Sequence, residues 1–180
     1  MSDFCELYKY DKDLSIASPV IIDGSLINYV ELVKREGGKT SIKETFVIDM
    51  DFIKNSLKIN PTPSSMDIAF IVSKENKYSN GIKKMDRKYI LADLKFNVTS
   101  VNNILTNISN KSIREKFSFS VEHIRSKDMN IRCHDTAYFV FNDKNFEQIR
   151  NRWTRRNLNF PKNVAVKQSD FEKVFICQTI

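Results

Sequence analysis

The sequence has little of what breaks or staples a chain: four glycines, four prolines and three cysteines in 180 residues. So little Gly and Pro excludes collagen-like and low-complexity Pro/Gly-rich chains. Cys5, Cys133 and Cys177 are odd in number and far apart, with no C-x-x-C pair, which argues against a disulfide framework, a zinc knuckle or a redox couple. They read as reduced thiols of a cytoplasmic protein. The two histidines, His123 and His134, share no metal-binding spacing, and Cys133-His134-Asp135 reads as a solvated turn, because neighbours in sequence rarely converge on one point. Long apolar runs are missing as well. The longest, Ile68 to Val72 and Ala137 to Phe141, hold five residues each, against the ~20 that cross a bilayer. The opening MSDFCELYKYDK carries acids and lysines where a secretory signal would be apolar, so no membrane partner is expected.

What is present is globular: 41% hydrophobic and 28% charged residues, at a length that suits a single domain over 1–180. The net charge of +7 is unevenly spread. Before Asp67 there are eight Lys/Arg against ten Asp/Glu, and from Asp67 onward twenty-one against twelve. A basic second part points to a polyanion such as nucleic acid, with a plain positive surface as the alternative.

Leu26, Tyr29, Val30 and Val33 follow Ser25 at i, i+3, i+4 and i+7 until Gly37-Gly38, which predicts an amphipathic first helix. Thr45 to Asp49 (TFVID) reads as a short strand and Phe52 to Ile59 as a helix. After the helix-breaking NPTPSS, Met66 to Ser73 (MDIAFIVS) reads as a strand buried on both faces. It pairs with Tyr89 to Val98 (YILADLKFNV) across Asn80-Gly81, a turn signal flanked by lysines that include Lys83 and Lys84. Thr99 or Ser100 is placed to cap one long or two broken helices carrying Val101, Ile104, Leu105 and Ile108, then Ile113, Phe117, Val121 and Ile124. Thr136 to Phe141 is a strand, Asp143 caps a helix with Phe146, Ile149 and Trp153 inward, and Lys173 to Gln178 reads as a closing strand. The order predicts an α/β fold: a mixed central β-sheet flanked by helices.

Asp93 and Lys95 share one strand face. Pairing symmetric about Asn80-Gly81 sets Asp67 opposite Leu94, which leaves Asp93 on the other side of the sheet. A bulge or an odd-length loop shifts the register by one and brings Asp67 beside Asp93 or Lys95. Two carboxylates and the backbone carbonyl of Leu94 would then suit a hard divalent cation, Mg2+ or Mn2+. Without the shift, Asp93 and Lys95 are an ion pair on a solvated strand face, worth under ~1 kcal/mol. Arg152, Arg155 and Arg156, at i, i+3 and i+4, are placed to hold a phosphate backbone.

Asp67 opening MDIAFIV and Asp93-Leu94-Lys95 in ILADLKFNV, followed by a helix and a strand, resemble the PD-(D/E)XK nuclease superfamily with its restriction-endonuclease-like fold. The resemblance implies an αβββαβ core over about residues 26–141, with a C-terminal helix and strand over 143–178. It implies that Asp67 and Asp93 bind the metal, that Leu94 lends its carbonyl and that Lys95 assists the attacking water. A Glu on the first helix often joins such sites, and Glu31 is the candidate here. Asn97, two residues beyond Lys95, is placed to donate to phosphate. Met66 in place of Pro, and Asp93 in place of the commoner Glu, depart from the pattern. The implied activity is that of a metal-dependent deoxyribonuclease, an endonuclease that hydrolyses phosphodiester bonds in DNA, and many members act as homodimers. A non-catalytic nucleic-acid-binding or protein-interaction domain on the same scaffold is the alternative.

Overall fold

A computed structural model describes residues 8–59, 64–79, 81–97, 108–156, 158 and 163–176. Cys5, Cys177, Gln178, Asn80, most of NPTPSS, and the caps and apolar positions expected over residues 98–107 lie outside them.

Among the described residues seven strands form one mixed sheet. In chain order the elements are β1 (Lys9–Tyr10), α1 (Lys12–Ile16), β2 (Leu26–Asn28), α2 (Tyr29–Arg35), β3 (Phe46–Asp49), α3 (Met50–Ser56) and β4 (Ile68–Lys77). They continue with β5 (Lys83–Lys95), α4 (Asn110–Lys127), β6 (Arg132–Phe141), α5 (Phe146–Arg155), β7 (Asn163–Lys167) and α6 (Gln168–Ile176). The sheet runs β2-β3-β4-β5-β6-β7, with β1 on the flank of β4. Neighbours from β2 to β5 are antiparallel, whereas β5, β6 and β7 are parallel. Parallel neighbours need a crossover, and α4 and α5 supply the two.

The middle of β4 and β5 is apolar at every position, so both faces of the sheet are covered. Ile68, Phe70, Val72, Ile90, Ala92 and Leu94 face one core, closed by Tyr10, Tyr29, Phe171 and Phe175. Ala69, Ile71, Tyr89 and Leu91 face the other, closed by Ile113 and Ile124 of α4 and by Trp153 of α5. That alternation decides where the next odd-numbered residues point, and those residues are Asp67, Asp93 and Lys95.

Four expectations need correction. The first helix begins later than its spacing suggests: Leu26–Asn28 is a strand paired with β3, and the Asn28 side chain caps α2 by accepting from Val30 N–H. Lys173 to Gln178 is not a closing strand, since α6 covers Gln168–Ile176 and the last strand is β7. Phe171, Val174 and Phe175 lie at i, i+3 and i+4, and burying them together on Phe70 and Tyr10 favours the helix. Asp143 does not cap α5: it opens a 3-10 turn over Asp143–Asn145 and accepts from Ser169 N–H of α6. Cys133-His134-Asp135 lies within β6 rather than in a turn.

Candidate functional site

The site is built on one rung of the β4–β5 hairpin. Ile68 pairs with Ala92, and the ladder keeps that register out to Lys77 opposite Lys83. The chain returns through an odd-length loop: Tyr78 N–H donates to the Ile82 carbonyl, with three residues between them. Gly81, the last of the three, has φ +78°, a conformation that glycine adopts without a steric penalty. This is the one-residue shift that symmetric pairing lacks; the ladder ends at Ile68 opposite Ala92, and Asp67 follows as a bend whose carboxyl meets that of Asp93. The backbone fixes Asp67 on both sides, its N–H donating to Ala92 O and its carbonyl accepting from Met50 N–H, each at 3.0 Å. Its Oδ2 accepts from Leu94 N–H at 2.5 Å.

Asp93 is 1% exposed and Asp67 6%, so the pair is not on a solvated face. Their carboxyl groups hydrogen-bond to each other. Burial first, and then the negative charge of Asp93, hold the Asp67 carboxyl well above the usual carboxylate range. For Asp93 burial acts in the same direction, but Lys95 and Lys116 outweigh it, and its pKa is lowered. Lys95 Nζ donates to Asp93 Oδ1 at 2.6 Å, and Lys116 Nζ lies 3.2 Å from both oxygens of Asp93. Burial would push Lys95 down, yet the charges of Asp93 and Asp67 raise it. The two acids are thus pushed in opposite directions, Asp67 up by burial and Asp93 down by its two ammonium partners.

Lys116 is the residue that sequence reasoning missed. Its helix begins with Ser109 as N-cap in a capping box with Ser112, and Ile113 and Ile124 anchor it on the sheet. Lys116, Ser120 and His123 fall on the same helical stripe as those two apolar anchors. Polar residues interrupting a core-facing stripe are the signal that could have found it. Ser120 confirms the orientation of the stripe, its Oγ accepting from Met66 N–H at 3.0 Å.

No family model, curated protein or solved structure matches the chain.

The other expected residues divide. Leu94 sits between Asp93 and Lys95 with its side chain in the opposite core and its N–H held by Asp67. Glu31 is a correction: it is exposed in the first turn of α2, and among the described residues it joins no group of three or more acids, Cys or His that could hold a metal. The acid of that helix whose charge does reach Lys95 is Glu36, at the C-cap. Asn97 lies just past the end of β5 with its side chain against Gly37. Lys83 and Lys84 are exposed where β5 begins, Arg155 and Arg156 are exposed at the end of α5, and Arg152 is half-buried there. Cys133 has a free thiol, which burial pushes up to about 12, so it is not a thiolate nucleophile.

Among the described residues no group of three or more His, Cys, Asp or Glu could hold a metal, and the Lys95 and Lys116 ammoniums already supply positive charge to the two carboxyl groups. The oxygens a hard cation would draw on here are few. The donors would be Asp67, Asp93 and the Leu94 carbonyl, with water and substrate oxygens completing the shell. Among the described residues no helix is long and apolar enough to cross a membrane.

Proposed function

We propose that this chain is a metal-dependent nuclease of the PD-(D/E)XK kind that hydrolyses phosphodiester bonds in DNA. One observation carries the reading: an odd-length turn sets the hairpin register so that Asp67 and Asp93 meet on one face, with Lys95 on the same strand bonded to the second acid. The run α2-β3-α3-β4-β5-α4-β6 differs from the αβββαβ order that the resemblance implies by the short helix α3 between its first two strands.

Asp67, Asp93 and the Leu94 carbonyl would hold Mg2+ or Mn2+, which when bound polarises a phosphate oxygen and makes a water more acidic. The residues themselves do the rest. Lys95, kept charged by Asp93, stands where it can hold the attacking water and meet negative charge as it develops. Lys116 faces it from α4 across the same carboxylate and adds a second ammonium for the phosphate. Asp93 orients both. Asp67 has to give up its proton before it serves as a ligand.

The experiment is cleavage of duplex DNA with Mg2+ by wild type, Asp93→Ala and Lys95→Ala, with folding checked by circular dichroism. Both variants should stay folded. Asp93→Ala should leave no product, and Lys95→Ala should lose roughly 100- to 1,000-fold, the scale for removing one charge-stabilising donor. Unimpaired cleavage by both eliminates the proposal. A second reading, a nucleic-acid-binding domain that does not cut, is favoured by Asp93 having both oxygens already engaged by ammoniums. It predicts salt-sensitive binding, no product at any metal concentration and little effect of Asp93→Ala.

A further inference from the structure

Among the described residues the hairpin extends past the other strands of the sheet. β3 pairs only with Ile68 and Ala69 of β4, β1 only with Val72 and Ser73, and β6 joins β5 from Lys88 onward. The rungs from Lys74 opposite Asp86 to Lys77 opposite Lys83 are thus a two-stranded ribbon with no third strand among the described residues. Lys74, Lys77, Lys83, Lys84, Arg87 and Lys88 lie on or beside it, against Glu75 and Asp86. Its root is occupied: the Lys74 and Lys88 ammoniums lie 5.8 and 5.6 Å from the Tyr8 ring, whose hydroxyl donates to Asp86. Near its tip, Lys77 and Lys83 are direct cross-strand partners that share one acid, 4.0 and 3.3 Å from the same Glu75 oxygen, so the pair keeps a net positive charge.

We infer that this ribbon is a duplex-DNA-binding arm that lies in the major groove with its lysines on the flanking phosphates. The inference rests on the nuclease reading for its substrate and adds the form of that substrate. The major groove of B-form DNA, about 12 Å wide, admits a two-stranded ribbon, whereas the deep, narrow major groove of A-form RNA does not. Lysines also guard exposed strand edges against pairing with other chains. A guarded edge has no use for apolar side chains at its tip, yet Tyr78 is 51% and Ile82 59% exposed there. Cations along the ribbon with apolar side chains at its end fit a groove, where phosphates line both walls and base edges form the floor. Lys83 and Asp93 are ten residues apart on one strand, so the tip stands about 33 Å from the carboxylates. Several screening lengths of ~8 Å separate them, and changing the tip leaves the charge balance at the site alone.

The test is fluorescence anisotropy of a labelled 20-base-pair DNA duplex in chelator, across a salt series, with the full chain and its Lys77→Gln/Lys83→Gln/Lys84→Gln variant. The variant, which loses only exposed ion pairs, should melt within a few degrees of wild type, should bind at least tenfold more weakly, and should lose about 2–3 from the slope of log affinity against log salt, the share of three phosphate contacts. A duplex RNA of the same length should compete at least tenfold less well than DNA. Equal affinity and slope for the two proteins would overturn the inference, as would equal competition by RNA or by polyglutamate standing in for an acidic protein partner. Binding is read without metal, so cleavage lost at the carboxylates and grip lost at the ribbon are separate failures.

Discussion

At the scale of single residues, the two acids are pushed in opposite directions by what surrounds them. Asp67 has its folded pKa raised above the unfolded value near 4, so its contribution to stability is in full below about pH 4 and is lost as pH climbs through the folded value. Asp93, lowered, contributes above about pH 4 and loses that contribution as pH falls through its folded value. Asparagine keeps the shape of a protonated Asp67 and does not titrate. Urea denaturation of Asp67→Asn should therefore show a smaller loss of stability than wild type as pH is raised above about 4, while metal-dependent cleavage disappears. A steeper loss than in wild type would mean that Asp67 is ionised at rest. Lys116→Met takes one of two ammoniums from Asp93 and should cost about 1–2 kcal/mol, the range for hydrogen bonds to charged groups that keep some solvent contact. The same change made in Asp93→Asn should cost close to nothing, and a double-mutant cycle measures the difference.

At the scale of elements, turns and helix ends decide the geometry, and two glycines separate local strain from crowding. A Cβ on Gly81 would meet nothing within 4 Å, so Gly81→Ala should cost only the left-handed backbone, about 1 kcal/mol by thermal or chemical melting. Gly37 has φ +77° as well, and a Cβ there would sit 1.8 Å from Asn97 Oδ1, so Gly37→Ala should cost more, about 2–3 kcal/mol, and move Asn97. The central hairpin and the helix crossing to a parallel strand were legible because apolar strands bounded by Gly, Asn and Lys leave few other readings, whereas the meeting of Asp67 with Asp93 hung on a loop length that Asn80-Gly81 left open. Three further features were not legible. Leu26, Tyr29, Val30 and Val33 fit helical spacing whether the helix starts at the first or the second of them, and strand pairing with β3 takes Leu26. The run Val174, Phe175, Ile176 is β-rich locally, and only its meeting with Phe70 and Tyr10 makes it a helix. Lys116 belongs to the site because α4 crosses over Asp93, a contact between residues 23 apart that no local pattern records.

At the scale of the whole molecule, the sheet separates a supporting face from a chemical one. Phe175 is 3% exposed and stacks with Tyr10, Tyr29 and Phe70 on the side away from the acids. Phe175→Ala should cost about 3–5 kcal/mol in denaturant unfolding, and the protein that remains folded should cleave DNA at the wild-type rate per folded molecule. Loss of cleavage in the folded fraction would show that the two faces are coupled. The Asp67–Asp93 separation has a different origin from either core, because it is set by which peptide bonds to which. Nearly every side chain around such a pair could drift while the hydrogen-bonding partners of the main chain stay as they are. The register of the β4–β5 hairpin is thus a property of the main chain, which substitutions among the neighbouring side chains would leave in place.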